Sequence, residues 1–217
     1  MHRPAPSPFA RHWDLDPNVM FLNHGSFGAT PRVVMAAQRE WQARLEREPV
    51  LFVHREMEQH LDVARESLAR FVGCNPDDLA FVTNATQGVN TVLRSLVFAP
   101  GDELLVTDHE YNACRNALDF VAQRSGARIV VAPIPFPLRD AGQVVESVLA
   151  HATQRTRLFL VDHITSPTGV VLPVAELVQQ LAARGIDMLV DGAHAPGMLP
   201  LDLDRLGAAY YTGNCHK

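Results

Sequence analysis

The chain has 217 residues, of which 47% are hydrophobic and 20% are charged, and its formal net charge is −5. This composition is typical of a globular protein with enough apolar material for a core. The acidic balance and scattered Lys and Arg residues argue against a nucleic-acid partner, and no apolar run approaches the roughly 20 residues of a membrane span. The three isolated cysteines indicate neither a disulfide framework nor a zinc cluster, and no signal peptide is recognisable, so we expect a cytoplasmic protein.

Two helices are predicted after an irregular first segment. Residues 1–30 are rich in proline and contain a glycine-bearing turn, which is typical of an arm or loop. Thr30 is predicted to cap a helix with Pro31 at its first position, and this helix runs to about Arg47. A second helix is predicted over residues 52–71, because apolar residues recur there at three- and four-residue spacing.

From residue 79 onward, short apolar segments alternate with helical ones. Helices are predicted at residues 86–98, 112–124, 141–152 and 174–184. Strands are predicted at residues 79–83, 103–107, 128–132, 158–161, 187–190 and 208–212. This alternation predicts an α/β fold, with a mainly parallel sheet covered by helices on both faces.

Polar clusters follow five of the predicted strands, whereas plain turns serve the opposite edge of the sheet. In open α/β sheets, ligands bind outside the carboxyl ends of the strands. Loops are polar in general, so each cluster taken singly also has a purely structural interpretation. Together they predict a binding site at this edge, formed by residues 84–86, 108–112, 162–169, 191–194 and 213–217.

Two of these clusters carry specific chemistry. Asn84 and Thr86 begin a helix whose free amides and dipole favour an anion, although either residue also suits a simple helix cap. Asp191 directly follows an apolar strand, and a buried carboxylate needs a partner. That partner is either a cationic ring nitrogen of a cofactor or an amide of the next turn. We predict no metal site.

Four motifs together resemble those of one family. They are Asn-His-Gly-Ser-Phe-Gly-Ala-Thr-Pro at residues 23–31, Asp-His-Glu-Tyr at 108–111, Asp-Gly-Ala-His at 191–194 and Thr-Gly-Asn-Cys-His-Lys at 212–217. In this order they resemble the class V aminotransferase family of fold-type I enzymes, which use pyridoxal 5′-phosphate (PLP), and look most like its isopenicillin N epimerase-like branch. The resemblance covers nearly the whole chain from about residue 20.

The resemblance implies the large domain of a fold-type I PLP-transferase (aspartate aminotransferase-like), with a C-terminal small domain outside this sequence. Residues 1–30 would form a substrate-side arm and residues 31–217 the N-terminal part of the PLP-binding domain. The implied activity acts on an amino acid or amino-acid-like substrate through an external aldimine. Epimerisation, transamination and elimination stay open, with cysteine desulfurase or another sulfur–carbon lyase as the alternative. A homodimer with shared active sites is also implied, and a non-catalytic α/β binding module is the non-enzyme alternative.

The resemblance also assigns catalytic and cofactor-binding roles. Lys217 would form the Schiff base with PLP and move protons at the substrate Cα. Asp191 would pair with the pyridine nitrogen, and His194 would contact the phenolic oxygen. The phosphate would be held by Ala85, Thr86, Asn214 and His216.

The remaining implied roles concern the ring face and the substrate side. Tyr111 is favoured over His109 for stacking on the cofactor ring. Ser166 stands where the desulfurases of the family have Asn, a difference that disfavours a housekeeping cysteine desulfurase. Asn23 and His24 would lie on the substrate side.

Overall fold

The computed structural model describes residue 5 and residues 7–217. The chain divides into two compact units. One contains the described residues up to Leu68 together with His216 and Lys217, and the other runs from Ala69 to Cys215. The predicted border between residues 30 and 31 stays a prediction, and residues 1–4 and 6 of the predicted arm lie outside the described residues. The described helices are all too short or too polar to cross a membrane.

The first unit is built mainly from helices. Helix α1 begins one residue later than predicted, because Pro31 keeps an extended backbone (φ −60°, ψ 146°) and caps the helix with its carbonyl. The predicted second helix forms, but it opens as a single α turn followed by a π-helical segment. The helical elements are α1 Arg32–Arg47, α2 Pro49–Leu51, the π-helix Phe52–Glu56 and α3 Met57–Val72, whose last residues belong to the second unit.

The second unit is the predicted α/β structure. Its five strands are all parallel and lie in the order β2-β1-β3-β4-β5. In chain order the elements are α4 Ala85–Ser95, β1 Glu103–Thr107, α5 Asn112–Ser125, β2 Arg128–Ala132, α6 Gly142–His151, β3 Thr156–Asp162, α7 Val174–Ala182, β4 Asp187–Gly192, α8 Leu203–Leu206 and β5 Tyr210–Gly213.

Helices cover both faces of this sheet. Leu105 contributes to the core under α6 and α7, whereas Leu104 and Val106 contribute to the core under α4 and α5. Successive side chains of a strand point to opposite faces, so a strand buried on both faces needs a continuous apolar run. The confirmed prediction of a doubly covered parallel sheet depends on runs of this kind.

The predicted strand at residues 79–83 is wrong. The segment follows a 3₁₀ turn at Pro76–Asp78 and enters no sheet of the described chain. Phe81 and Val82 are 50% and 44% exposed. A strand needs a neighbour to share its backbone hydrogen bonds, and an apolar run alone does not supply one.

Candidate active site

The N-terminus of α4 brings two predicted cofactor residues together. Asn84 caps the helix by accepting a hydrogen bond from the Gln87 amide at 2.8 Å, which confirms the capping interpretation of this residue. The amide of Ala85 donates to the side-chain oxygen of Asn214 at 2.8 Å. Thr86 adds an amide and a hydroxyl at the same helix end, where the helix dipole favours an anion.

A glycine lets α4 approach β5 closely. A Cβ atom on Gly88 would lie 2.8 Å from the Thr212 Cγ2 atom, closer than real Cβ contacts. The Thr212 hydroxyl is buried and has no hydrogen-bond partner among the described residues. An unpaired buried hydroxyl is costly, so this corner suits a polar ligand.

Asp191 lies at the carboxyl end of β4 and is only 2% exposed. One carboxylate oxygen accepts from the Ala193 amide at 2.9 Å, and the other accepts from the Cys114 thiol at 3.1 Å. Asp162, 3% exposed, is the register partner of Asp191 on β3. The carboxylate therefore does cap the next turn, but that bond engages only one of its oxygens.

Glu110 and Cys114 were missed by sequence reasoning. One carboxylate oxygen of Glu110, the Sγ atom of Cys114 and one carboxylate oxygen of Asp191 all lie within 4.8 Å of one another. Both Glu110 oxygens are buried without a hydrogen-bond partner of good geometry among the described residues. Burial, followed by the charges of Asp162 and Asp191, raises the pKa of Glu110 well above 4.5. The four-residue spacing of Glu110 and Cys114 at a helix start was the available signal.

A group of hydroxyls lies beside His109. Its Nδ1 atom is hydrogen bonded to the Thr168 hydroxyl at 3.2 Å, and that hydroxyl lies 2.7 Å from the hydroxyl of Thr165. Thr165 is 1% exposed, whereas its neighbour Ser166, the predicted residue, is exposed. Tyr111, immediately before α5, is 42% exposed and His109 is partly buried. Which of these two rings stacks on a cofactor stays a prediction.

Two histidines connect the loops after β3 and β4. The Nδ1 atom of His194 lies 3.3 Å from the Ile164 carbonyl oxygen. The Nδ1 atom of His163 is hydrogen bonded to the Tyr211 hydroxyl at 2.8 Å. Burial lowers the pKa of His163 and raises the pKa of Tyr211. Gly192 is required beside this pair, because a Cβ atom there would overlap the Tyr211 ring.

The remaining predicted residues lie in the first unit. Asn23 accepts a side-chain hydrogen bond from the Ser26 amide at 3.3 Å, and His24 accepts one from the Ala29 amide at 3.3 Å. A Cβ atom on Gly28 would overlap the backbone carbonyl of His216. The turn is therefore folded on itself and lies against the residue that precedes Lys217.

Comparisons with known proteins agree with these motifs. The family model Aminotransferase class-V matches residues 19–217. Isopenicillin N epimerase of Streptomyces clavuligerus is 42% identical over 203 residues, which are 94% of this chain and 51% of that protein. Probable L-cysteine desulfhydrase, chloroplastic, of Arabidopsis thaliana is 33% identical over 227 residues, which are 97% of this chain and 47% of that protein.

A solved structure is similar as well. It is a C-DES mutant with glycine covalently linked to its PLP cofactor, and it matches with a TM-score of 0.81 and 28% identity, covering 92% of this chain and 53% of that one. This match confirms the predicted fold, the large domain of a fold-type I PLP enzyme. The chain spans about half the length of the curated relatives it matches. Because the Aminotransferase class-V model matches residues 19–217, the chain belongs to the class V aminotransferase family.

Proposed function

We propose that the intact protein is a PLP-dependent enzyme that acts on an amino acid or amino-acid-like substrate, in the manner of isopenicillin N epimerase. The observation that carries the proposal is the buried carboxylate of Asp191. It lies at the carboxyl end of β4, next to the strand that carries Thr212 and on the face covered by α4 and α5. The PLP bound by the C-DES structure and the family membership support it.

The residues present fit PLP. At the α4 N-terminus, the amide and hydroxyl of Thr86 and the side-chain NH₂ of Asn214 offer donors to a phosphate group, and the Ala85 amide fixes Asn214 there by donating to its side-chain oxygen. The buried Thr212 hydroxyl, which has no partner in the described part of the chain, offers a further polar contact beside this helix end. Asp191 offers a carboxylate to a protonated ring nitrogen. When bound, PLP supplies an electron sink for bonds at the substrate Cα.

The protein's own groups would orient the cofactor and control protons. The Asp191 carboxylate would hold a proton on the ring nitrogen, and its burial would strengthen that ion pair because the local dielectric is low. His194 is proposed to contact the phenolic oxygen, and either His109 or Tyr111 to stack on the ring. Ser166 is proposed as a polar contact from the loop after β3, where the neighbouring Thr165 hydroxyl is already bonded to the Val170 amide and the Thr168 hydroxyl.

Lys217 is proposed as the residue that attaches the cofactor and moves a proton at the substrate Cα. Both tasks need a neutral amine for part of the cycle. Lys217 is the only lysine in this sequence. It directly follows His216, which together with Asn214 is proposed to help hold the phosphate. The Asn23–Ala29 turn lies against His216, which supports a substrate-side role for Asn23 and His24.

We also propose a homodimer with shared active sites and a cytoplasmic location. A closed two-fold dimer is the commonest homo-oligomer, and the family resemblance implies it. The three free cysteines Cys74, Cys114 and Cys215 fit a reducing compartment. Light scattering of the PLP-bound protein across a dilution series checks the dimer, and a fully active monomer would contradict shared sites.

A sulfur–carbon lyase is the second candidate function. It is favoured by the similarity to the desulfhydrase of Arabidopsis thaliana over 97% of this chain. Incubation with amino acids in heavy water distinguishes the two reactions. Deuterium at Cα together with formation of the opposite enantiomer indicates epimerisation, whereas sulfide released from cysteine indicates a lyase.

Reduction with borohydride tests the proposal directly. Reduction of the PLP-loaded intact protein should place the pyridoxyl group on Lys217, which peptide mass spectrometry distinguishes from a label on any other lysine. Lys217→Ala should lose both the label and turnover. Lys217→Arg is the matched control that keeps a positive charge but forms no Schiff base. A protein that binds no PLP would support the non-catalytic module, and a label retained in Lys217→Ala would contradict the assignment of the lysine.

A further inference from the structure

Three carboxyl groups are buried together at the carboxyl end of the sheet, and we call Glu110, Asp162 and Asp191 the acidic cluster. The register of β3 and β4 places Asp162 and Asp191 side by side. Glu110 reaches them from the loop that precedes α5. Carboxylates this close in a low-dielectric interior do not all ionise at once, so at neutral pH the cluster keeps a proton.

Hydrogen-bond donors are distributed unequally in the cluster. Asp191 receives the Ala193 amide and the Cys114 thiol, whereas the buried Glu110 oxygens lack a partner of good geometry among the described residues. Burial and the charge of Asp191 raise the pKa of Cys114, so its thiol stays protonated and remains a donor. Donors stabilise the charged form of a carboxyl, so the negative charge belongs on Asp191 and the proton on Glu110.

Other charged or titratable groups face the cluster from α5 and β5. The positive charge of Arg115 on α5 acts to lower the pKa of Glu110, but Arg115 is paired with Asp119 at 3.2 Å. Tyr211 on β5 carries no charge at neutral pH, because burial and Asp191 raise its pKa. Burial, followed by the charges of Asp162 and Asp191, outweighs the lowering effects of the Tyr111 backbone amide and Arg115 and keeps the pKa of Glu110 raised.

We propose that Glu110 is a positioning residue, which holds the proton of the acidic cluster and thereby keeps Asp191 ionised for the ring nitrogen of the cofactor. The role toward the cofactor rests on the proposed function. The location of the proton is a property of the protein without cofactor, and it is testable even when no PLP binds.

Infrared spectroscopy of the cofactor-free intact protein reads the proton directly, because a protonated carboxyl absorbs apart from a carboxylate. At neutral pH the wild type should show a buried protonated-carboxyl band that Glu110→Gln loses. Glu146→Gln is the matched control, since it makes the same change at an exposed position on α6 and should keep the band. A band retained in Glu110→Gln would place the proton on another group and overturn the proposal.

A pH titration of the infrared band tests whether the charge of Asp191 acts on the proton of Glu110. Asp191→Asn removes a negative charge that holds the proton on Glu110, so the midpoint of the band's pH titration should move to lower pH. An unchanged midpoint would show that Glu110 does not act on Asp191. If the wild type shows no band and instead retains a divalent metal ion that Glu110→Gln loses, the cluster is neutralised by metal and the proposal is overturned.

Stability provides an independent check. The folded-state pKa of Glu110 is raised above 4.5, so its contribution to the free energy of unfolding is present below pH 4.5 and is lost as the pH rises through the folded pKa. Glu110→Gln should therefore gain stability over the wild type as the pH rises from 4.5, measured as the shift of the urea midpoint. Equal pH profiles for the two proteins would overturn the proposal. Failure to bind PLP, with the band and the profile as expected, would count against the proposed function alone.

Discussion

Glu103 and Glu110 lie near opposite ends of β1, and both have buried carboxyl groups in opposite surroundings. Glu103 is fully buried and accepts hydrogen bonds from Thr153, Arg128 and Arg155, while those arginines remain about two-thirds exposed. The hydrogen bond from Thr153, followed by those from the two arginines, lowers the pKa of Glu103 to about 2 against the opposing effect of burial. Burial, followed by the charges of Asp162 and Asp191, raises the pKa of Glu110.

This difference distinguishes Glu103, a carboxylate that stabilises the fold, from Glu110, a carboxyl group at the candidate active site. The Glu103 carboxylate is compensated by Thr153, Arg128 and Arg155, so it needs no ligand. The Glu110 end concentrates like charges and a Thr212 hydroxyl without a partner among the described residues, which is costly unless a ligand contacts these groups. Perturbed acids cluster at functional sites for this reason. The predictions below test whether the two ends divide structure from function in this way.

The largest expected effect is on turnover. Asp191→Asn should lower kcat by about 10³-fold with PLP still bound, because an amide does not hold a proton on the ring nitrogen by charge. Steady-state kinetics at full cofactor occupancy measure it. Glu103→Gln, at the structural end, is the control that should keep a near-normal kcat. A near-normal rate in Asp191→Asn would show that this carboxylate only caps its turn.

The next effect is on stability. Glu103→Gln should lower the free energy of unfolding by about 2 kcal/mol at neutral pH, since it removes the charge that accepts from two arginines and a threonine. Urea unfolding measures it. Arg157→Gln, which removes a more distant pair with Asp102 at 4.0 Å, should change stability much less. Equal losses in both variants would contradict a special role for Glu103.

A smaller effect is expected where α4 meets β5. Gly88→Ala places a Cβ atom 2.8 Å from Thr212, so the helix end that holds Ala85 and Thr86 must shift. We expect PLP affinity to fall about tenfold, equivalent to about 1.4 kcal/mol, in a titration followed by absorbance. Gly142→Ala is a control for the residue change away from the site, because its φ is not left-handed and its Cβ atom would meet only the flexible Asp140 carboxylate at 3.0 Å. An unchanged affinity in Gly88→Ala would show that the helix end tolerates the shift.

The smallest expected effect is on how the free energy of unfolding falls at acid pH. The folded-state pKa of Glu103 is depressed from 4.5 to about 2, so its stabilisation is present above pH 4.5 and is lost as the pH falls through about 2. Glu103→Gln should flatten this part of the curve, in the opposite pH direction to Glu110→Gln. Circular dichroism of acid unfolding measures it, and parallel acid limbs for wild type and Glu103→Gln would contradict the assignment.

Local patterns predicted most of the second unit. The apolar run at Glu103–Thr107 predicted β1, because such runs occur in buried parallel strands. The run at residues 79–83 is similarly apolar but forms no strand, because no described strand lies beside it to share hydrogen bonds.

The sequence by itself determined the alternation of strands and helices, the edge where polar residues collect, and the motifs that resemble the family. Only the tertiary structure decided which polar side chains meet. It joined Ala85 to Asn214, placed Thr165 rather than Ser166 inside, and brought Glu110 to Asp191. Periodicity and composition are local properties, whereas burial of a carboxyl and its supply of donors depend on neighbours that are distant in the chain.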